Sequence, residues 1–140
     1  MELGRAAAGK ISQLLDHDFE AGRVSAHDDC VGAVDGWSFL FSTGKLSRKA
    51  RNLAKNQRCV VCTEQADHAV IVEGIADELV DVDLRRAFLK RYERKYEFDM
   101  SGMEADILSL KEPVYAVRPV VVFGLDEKKS LNAATRWRFD

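Results

Sequence analysis

Asp35-Gly36 stands between two apolar runs, CVGAV and WSFLF. The central positions of a two-residue hairpin turn need φ > 0, and Asp-Gly meets that need at little steric cost, so the segment predicts a β-hairpin. Short apolar runs divided by turn signals then recur along the chain. RCVVCTE reads as a strand, QADH as a turn, and AVIVEGIADELV as a longer strand with a bulge at Gly74. PVYAVRPVVVFGLDE reads as a strand pair, or as one long strand that Pro119 places at an edge or bend. ATRWRFD is a final short strand, which brings the total to about six.

Helices are inserted between these strands rather than alternating with them. In STGKLSRKARNLAKN, Ser47 is a natural N-cap, Ala50, Leu53 and Ala54 give a narrow apolar stripe, and Asn56 is a stop. In DVDLRRAFLKRYERKY, Leu84, Phe88, Tyr92 and Tyr96 recur every fourth residue with Ala87 beside them, and Asp81 or Asp83 can cap. SGMEADILSL adds a helical turn or two. RAAAGKISQLLD, residues 5–16, has weak helical periodicity, and the polar residues 17–29 suggest no element. The pattern predicts a mostly β, α+β fold, an antiparallel barrel rather than a parallel sheet.

The 140 residues fit one domain, 1–140, with no repeat or linker to divide it. A formal net charge of -2 and a pI near 5.9 argue against a nucleic-acid partner. The apolar runs are too short and too often charged to span a membrane, and MELGRAAAGK lacks the apolar core of a secretory signal. A cytoplasmic protein is expected. Three cysteines agree with a reducing compartment. Cys59 and Cys62 lie three apart on a strand and point to opposite faces. They are expected to be small buried side chains, neither a redox pair nor zinc ligands. His27-Asp28-Asp29-Cys30 alternate faces in the same way, and His17 and His68 are isolated, so no metal site is expected.

Chemistry concentrates between Lys45 and Arg58. Lys45, Arg48, Lys49, Arg51, Lys55 and Arg58 lie there with no acid among them. Arg48 and Lys49 fall in the first turn of a helix, where the dipole disfavours cations. Two readings fit this local pattern. One is an anion site, in which backbone N–H groups, hydroxyls and a guanidinium converge on a phosphate. The other is a solvated basic face that Ser47 merely caps. A nucleic-acid contact fits poorly, because no aromatics interleave the cations.

FLFSTGKLSRKARNL, then a strand, EGIADEL, a helix ending near KY, PVYAVRPVVVFG and TRWRF together resemble the pyridoxamine 5'-phosphate oxidase-like superfamily. These are the flavin-binding split barrels, and the likeness is strongest to their flavin- or deazaflavin-dependent oxidoreductase branch. It runs from about Gly36 to the C-terminus. It implies a six-stranded antiparallel split β-barrel with inserted helices, a homodimer, and cofactors at the subunit interface. It also implies a phosphate grip at Ser42, Thr43, Ser47, Arg48 and Lys49, with Lys45 as a further contact. Trp137 is expected near the cofactor ring or the dimer seam, with plain packing as the alternative. Arg136 and Arg138 share the face opposite Trp137. The cofactor would be FMN or the deazaflavin coenzyme, moving hydride to or from a small substrate, and no residue is singled out as catalytic.

The sequence departs from the family in two places. The Arg/His substrate motif near the C-terminus is missing, so vitamin B6 oxidation is not expected. Residues 1–35 are atypical: Gly22-Arg23 matches the family's turn, but Asp28 and Asp29 follow where a neutral strand should face the flavin. Carboxylates there would oppose the charge of a reduced ring. That departure supports an alternative, a non-catalytic cofactor-binding module or degenerate dimer. The dimer itself also follows from the Val-rich stretch 113–123, which a small barrel would leave uncovered without a partner.

Overall fold

A computed structural model describes residues 39–62, 68–126 and 134–139. The elements are β1 (Phe39–Ser42), α1 (Arg48–Lys55), β2 (Arg58–Cys62), β3 (His68–Glu78), α2 (Val82–Tyr96), α3 (Ser101–Leu108), β4 (Val114–Asp126) and β5 (Thr135–Arg138). Every pairing is antiparallel, in the order β1-β4-β3-β2, with β5 also on β4. The described strands make an open five-stranded sheet, not a closed barrel. The Asp35-Gly36 turn, the strand before it and the 5–16 helix lie outside the described residues, as do Asp28 and Asp29.

β4 is the axis of this sheet. β3 runs along one side of it, while β1 and β5 share the other, at Val114–Val117 and Val121–Gly124. Val114–Asp126 is therefore one long strand, and Pro119 occupies a locally open edge of it. It falls between β1 and β5, where no ladder partner on that side loses a donor. The expected bend is present. Glu73 faces Val121 and Gly74 faces Pro119, so Val120 is an extra residue. This bulge changes the parity of β4. Tyr115 and Val117 face one layer before it, and Val122 faces the same layer after it. A regular strand would have turned Val122 to the opposite face.

Each face of the sheet carries a core. One packs Phe39, Phe41, Val70, Val72, Tyr115, Val117 and Val122 with Leu53 of α1. The other packs Leu40 and Val114 against Phe88, Leu89, Met100 and Ile107. Burying each such side chain contributes about 1.5–3 kcal/mol. Val114, Val117 and Val122 are covered within the single chain. Neighbouring strands and helices provide that cover, while Val120 stays 43% exposed, so the uncovered part of the Val-rich stretch is smaller than expected.

Local chemistry sets the helix ends. The Ala50 N–H donates to Ser47 Oγ at 3.1 Å, and Asn56 ends α1. Ala50 and Leu53 are buried but Ala54 is exposed, so the stripe is narrower than expected. The Leu84 N–H donates to Asp81 Oδ1 at 3.0 Å, and Glu97, at φ 49, closes α2. The buried residues of α2 are Arg85, Phe88 and Leu89, so its inward face is rotated by about one residue from the predicted stripe. Cys59 and Cys62 do face opposite ways. Cys59 is half-buried against the core, whereas Cys62 is exposed, against expectation.

Candidate functional site

The cationic segment occupies the turn from β1 into α1. Ser42 ends β1, and its hydroxyl donates to the Pro113 carbonyl at 3.2 Å. The chain then reverses at Gly44–Ser47, where the Ser47 N–H donates to the Gly44 carbonyl at 2.9 Å. That turn brings Thr43 Oγ1 to 2.9 Å from Ser47 Oγ. Two hydroxyls therefore stand together at the N-terminus of α1, and the first turn of that helix contains no acid. Arg48 is exposed and has no hydrogen-bond or ion-pair partner among the described residues. Lys49 Nζ lies 5.5 Å from the centroid of the Phe41 ring. Thr43, Ser47, Arg48 and Lys49 are thus gathered at one helix end, where the dipole and free N–H groups favour an anion. The donors fit a phosphate: two hydroxyls, a helix N-terminus and exposed cations, with no buried acid among them.

Two of the expected contacts are placed differently. The Ser42 hydroxyl proton is directed to Pro113, away from the hydroxyl pair. The Lys45 side chain is exposed, but its backbone N–H donates to Glu112 Oε2 at 2.8 Å. An acid from the α3–β4 connection therefore sits on the turn. Sequence reading missed it, because nothing local links residues 67 apart in the chain.

Behind that connection lies Arg85, fully buried. Its Nε donates to the Leu79 carbonyl at 2.6 Å, and its Nη1 to the carbonyls of Ile107 at 2.7 Å and Glu112 at 2.6 Å. Nη2 lies 3.4 Å from Glu78 Oε1. Burial lowers the guanidinium pKa, and the Glu78 charge opposes that shift. This side chain ties α2 to the end of α3 and to the α3–β4 connection. A signal existed: Arg85, Phe88, Leu89 and Tyr92 follow helical i, i+3, i+4, i+7 spacing, which puts a charge in the apolar stripe.

A cleft of about 530 Å³ opens at the other end of α1, lined by Leu53, Asn56, Arg58, Ile75, Glu78 and Tyr115 among others. α1 has eight residues, so about 12 Å of helix separates this cleft from the hydroxyl pair. Burial, and to a lesser degree the Glu78 charge, raise the Tyr115 phenol pKa. Among the described residues no group of three or more His, Cys, Asp or Glu side chains could hold a metal ion. No described helix is long and apolar enough to cross a membrane.

No family model and no curated protein matches the chain. Solved structures do. A pyridoxamine 5'-phosphate oxidase-related, FMN binding protein from Nostoc punctiforme superposes with a TM-score of 0.54, at 11% identity, covering 94% of this chain and 95% of that one. The chain has the fold of the pyridoxamine 5'-phosphate oxidase-like proteins. A general stress protein 26-related member of the pyridoxinephosphate oxidase family from Clostridium acetobutylicum gives 0.51 at 12% identity, covering 77% of this chain and 71% of that one. A heme binding protein from Mycobacterium smegmatis gives 0.53 at 15% identity; 76% of this chain matches 44% of that longer one.

Within this oxidase-like fold, Trp137 stands apart from the other predicted site residues. It pairs with Val122 on β4, whereas Ser42 pairs with Val114. Eight residues of strand, about 25 Å, separate the two positions. The indole lies over Gly124, where a Cβ would come within 2.9 Å of its ring. Trp137 therefore packs on its own sheet and is not gathered with the hydroxyl pair. Arg136 and Arg138 are exposed, with the Arg136 guanidinium 5.7 Å from the Phe123 ring centroid.

Proposed function

We propose that the protein binds a phosphorylated flavin-type cofactor, FMN or the deazaflavin coenzyme, and uses it to move hydride to or from a small substrate. The observation that carries this reading is the Thr43–Ser47 hydroxyl pair, 2.9 Å apart, at an acid-free helix N-terminus beside Arg48. In the proposal, Thr43, Ser47, Arg48 and Lys49 hold the phosphate and Lys45 lends its side-chain charge. The fold shared with an FMN binding protein supports the choice of ligand. Such a cofactor supplies the hydride chemistry itself, and the chain supplies grip and orientation.

The same reading takes the protein as a homodimer. Val60, Ile71, Val121, Phe123 and Leu125 share the sheet face that α2 and α3 cover only at its other end, and Val60 and Leu125 are exposed. A twofold contact there would bury this patch.

The test is a fluorescence titration with FMN and with the deazaflavin coenzyme, using Arg48→Ala/Lys49→Ala as control. Binding of one, weakened at least about 30-fold in the double variant, is expected from the loss of charge-assisted phosphate contacts. A folded protein that binds neither would overturn the redox reading. The fold shared with a heme binding protein favours a second reading, a non-catalytic carrier. Heme binding without flavin binding would select it.

A further inference from the structure

We infer that Glu112 is a charge-selecting residue of the phosphate site, favouring monoanionic phosphodiesters over dianionic phosphate monoesters. The inference rests on the phosphate reading above and deepens it.

The Glu112 carboxylate accepts the Lys45 N–H at 2.8 Å, so a fixed negative charge stands on the turn that carries the hydroxyl pair. It is held from behind. The Glu112 N–H donates to the Asp106 carbonyl at 3.0 Å, and its own carbonyl takes Arg85 Nη1 at 2.6 Å. Nearby, Leu110 holds a left-handed conformation at φ 65, and Ser42 bonds the Pro113 carbonyl at 3.2 Å. The connection is thus pinned on both sides of the glutamate. A carboxylate anchored in this way repels an anion bound at Thr43–Ser47. Coulomb repulsion scales with ligand charge, so a dianion is penalised twice as heavily as a monoanion. A phosphate monoester such as FMN is close to a dianion at neutral pH, with a second pKa of about 6. A phosphate diester has a single ionisable proton and carries one charge. Glu112 therefore shifts the site toward phosphodiesters.

Glu112→Gln tests this cleanly, since the amide oxygen can still accept the Lys45 N–H while the charge is lost. Backbone amides of Thr43–Lys49 are followed by NMR at constant low ionic strength, with sulfate as the dianion and dimethyl phosphate as the monoanion. In Glu112→Gln the sulfate-to-dimethyl-phosphate affinity ratio should rise about three- to fivefold, the scale of an exposed charge interaction. An unchanged or lowered anion ratio overturns the inference, even if flavins bind. A raised anion ratio in a protein that binds neither flavin keeps the inference and removes the flavin reading. Binding of neither anion, by either protein, overturns both.

Discussion

Cys59 and Cys62 show how one strand gives two identical side chains different chemistry. Their alternation puts Cys59 against the core, where burial pushes its thiol pKa up, and leaves Cys62 in solvent. Only the thiolate attacks an alkylating agent, so Cys62 should be modified well before Cys59 at neutral pH. Peptide mass spectrometry after a brief iodoacetamide pulse would check this; equal labelling would contradict the assigned faces. Arg85 is the reverse case, a charge placed inside. Its guanidinium donates to three carbonyls that converge from the β3–α2 junction, α3 and the α3–β4 connection. Arg85→Met should lower the unfolding free energy by about 3 kcal/mol, because those acceptors lose a charged donor. Arg85→Lys should recover little of it, since one ammonium cannot reproduce a planar fork. Urea unfolding measures both.

The Gly74–Pro119 bulge decides how β4 is used. A Cβ at position 74 would come 2.5 Å from the Arg118 carbonyl oxygen, which is backbone and cannot swing aside. Gly74→Ala should therefore cost about 2 kcal/mol, more than the ordinary gain from restricting a glycine. A stability equal to or above the parent would mean that the two strands are not so close. The bulge was legible in the sequence as a glycine inside an apolar strand. Its effect on parity was not, because which neighbour opposes Gly74 depends on a strand some 45 residues away. The cap at Ser47 was equally legible, since Ser followed by a basic helical stretch acts within one turn. The inward face of α2 was displaced because the charge of Arg85 hid its place in the stripe.

Assembly belongs to the surface of the entire protein. Covering Val114, Val117 and Val122 within one chain weakens the simplest argument for a dimer and moves it to the outer patch around Phe123 and Leu125. If that patch is the contact, light scattering will give twice the chain mass for the parent, and Leu125→Glu will shift it to the monomer. A Leu125→Glu protein that stays dimeric would place the contact elsewhere. Fold comparison works at this scale too. At 11% identity, the likeness to the FMN binding protein from Nostoc punctiforme concerns the path of the chain, not its side chains.

Elements made by neighbours in the chain were determined by the sequence alone. The strand character of 58–62, 68–78, 114–126 and 135–138, though not the choice of one strand over two at 114–126, the helices after Ser47 and Asp81, and the clustering of Thr43, Ser47, Arg48 and Lys49 depend on periods of two and 3.6 residues and on caps. Interactions across large chain separations were decided only in three dimensions: the central place of β4, the burial of Arg85, the distance of Trp137 from the hydroxyl pair, and the carboxylate of Glu112 on the Lys45 N–H. Local pattern sets backbone conformation because its hydrogen bonds close within a few residues. The groups that meet at a site are set by packing, which no local window of sequence contains.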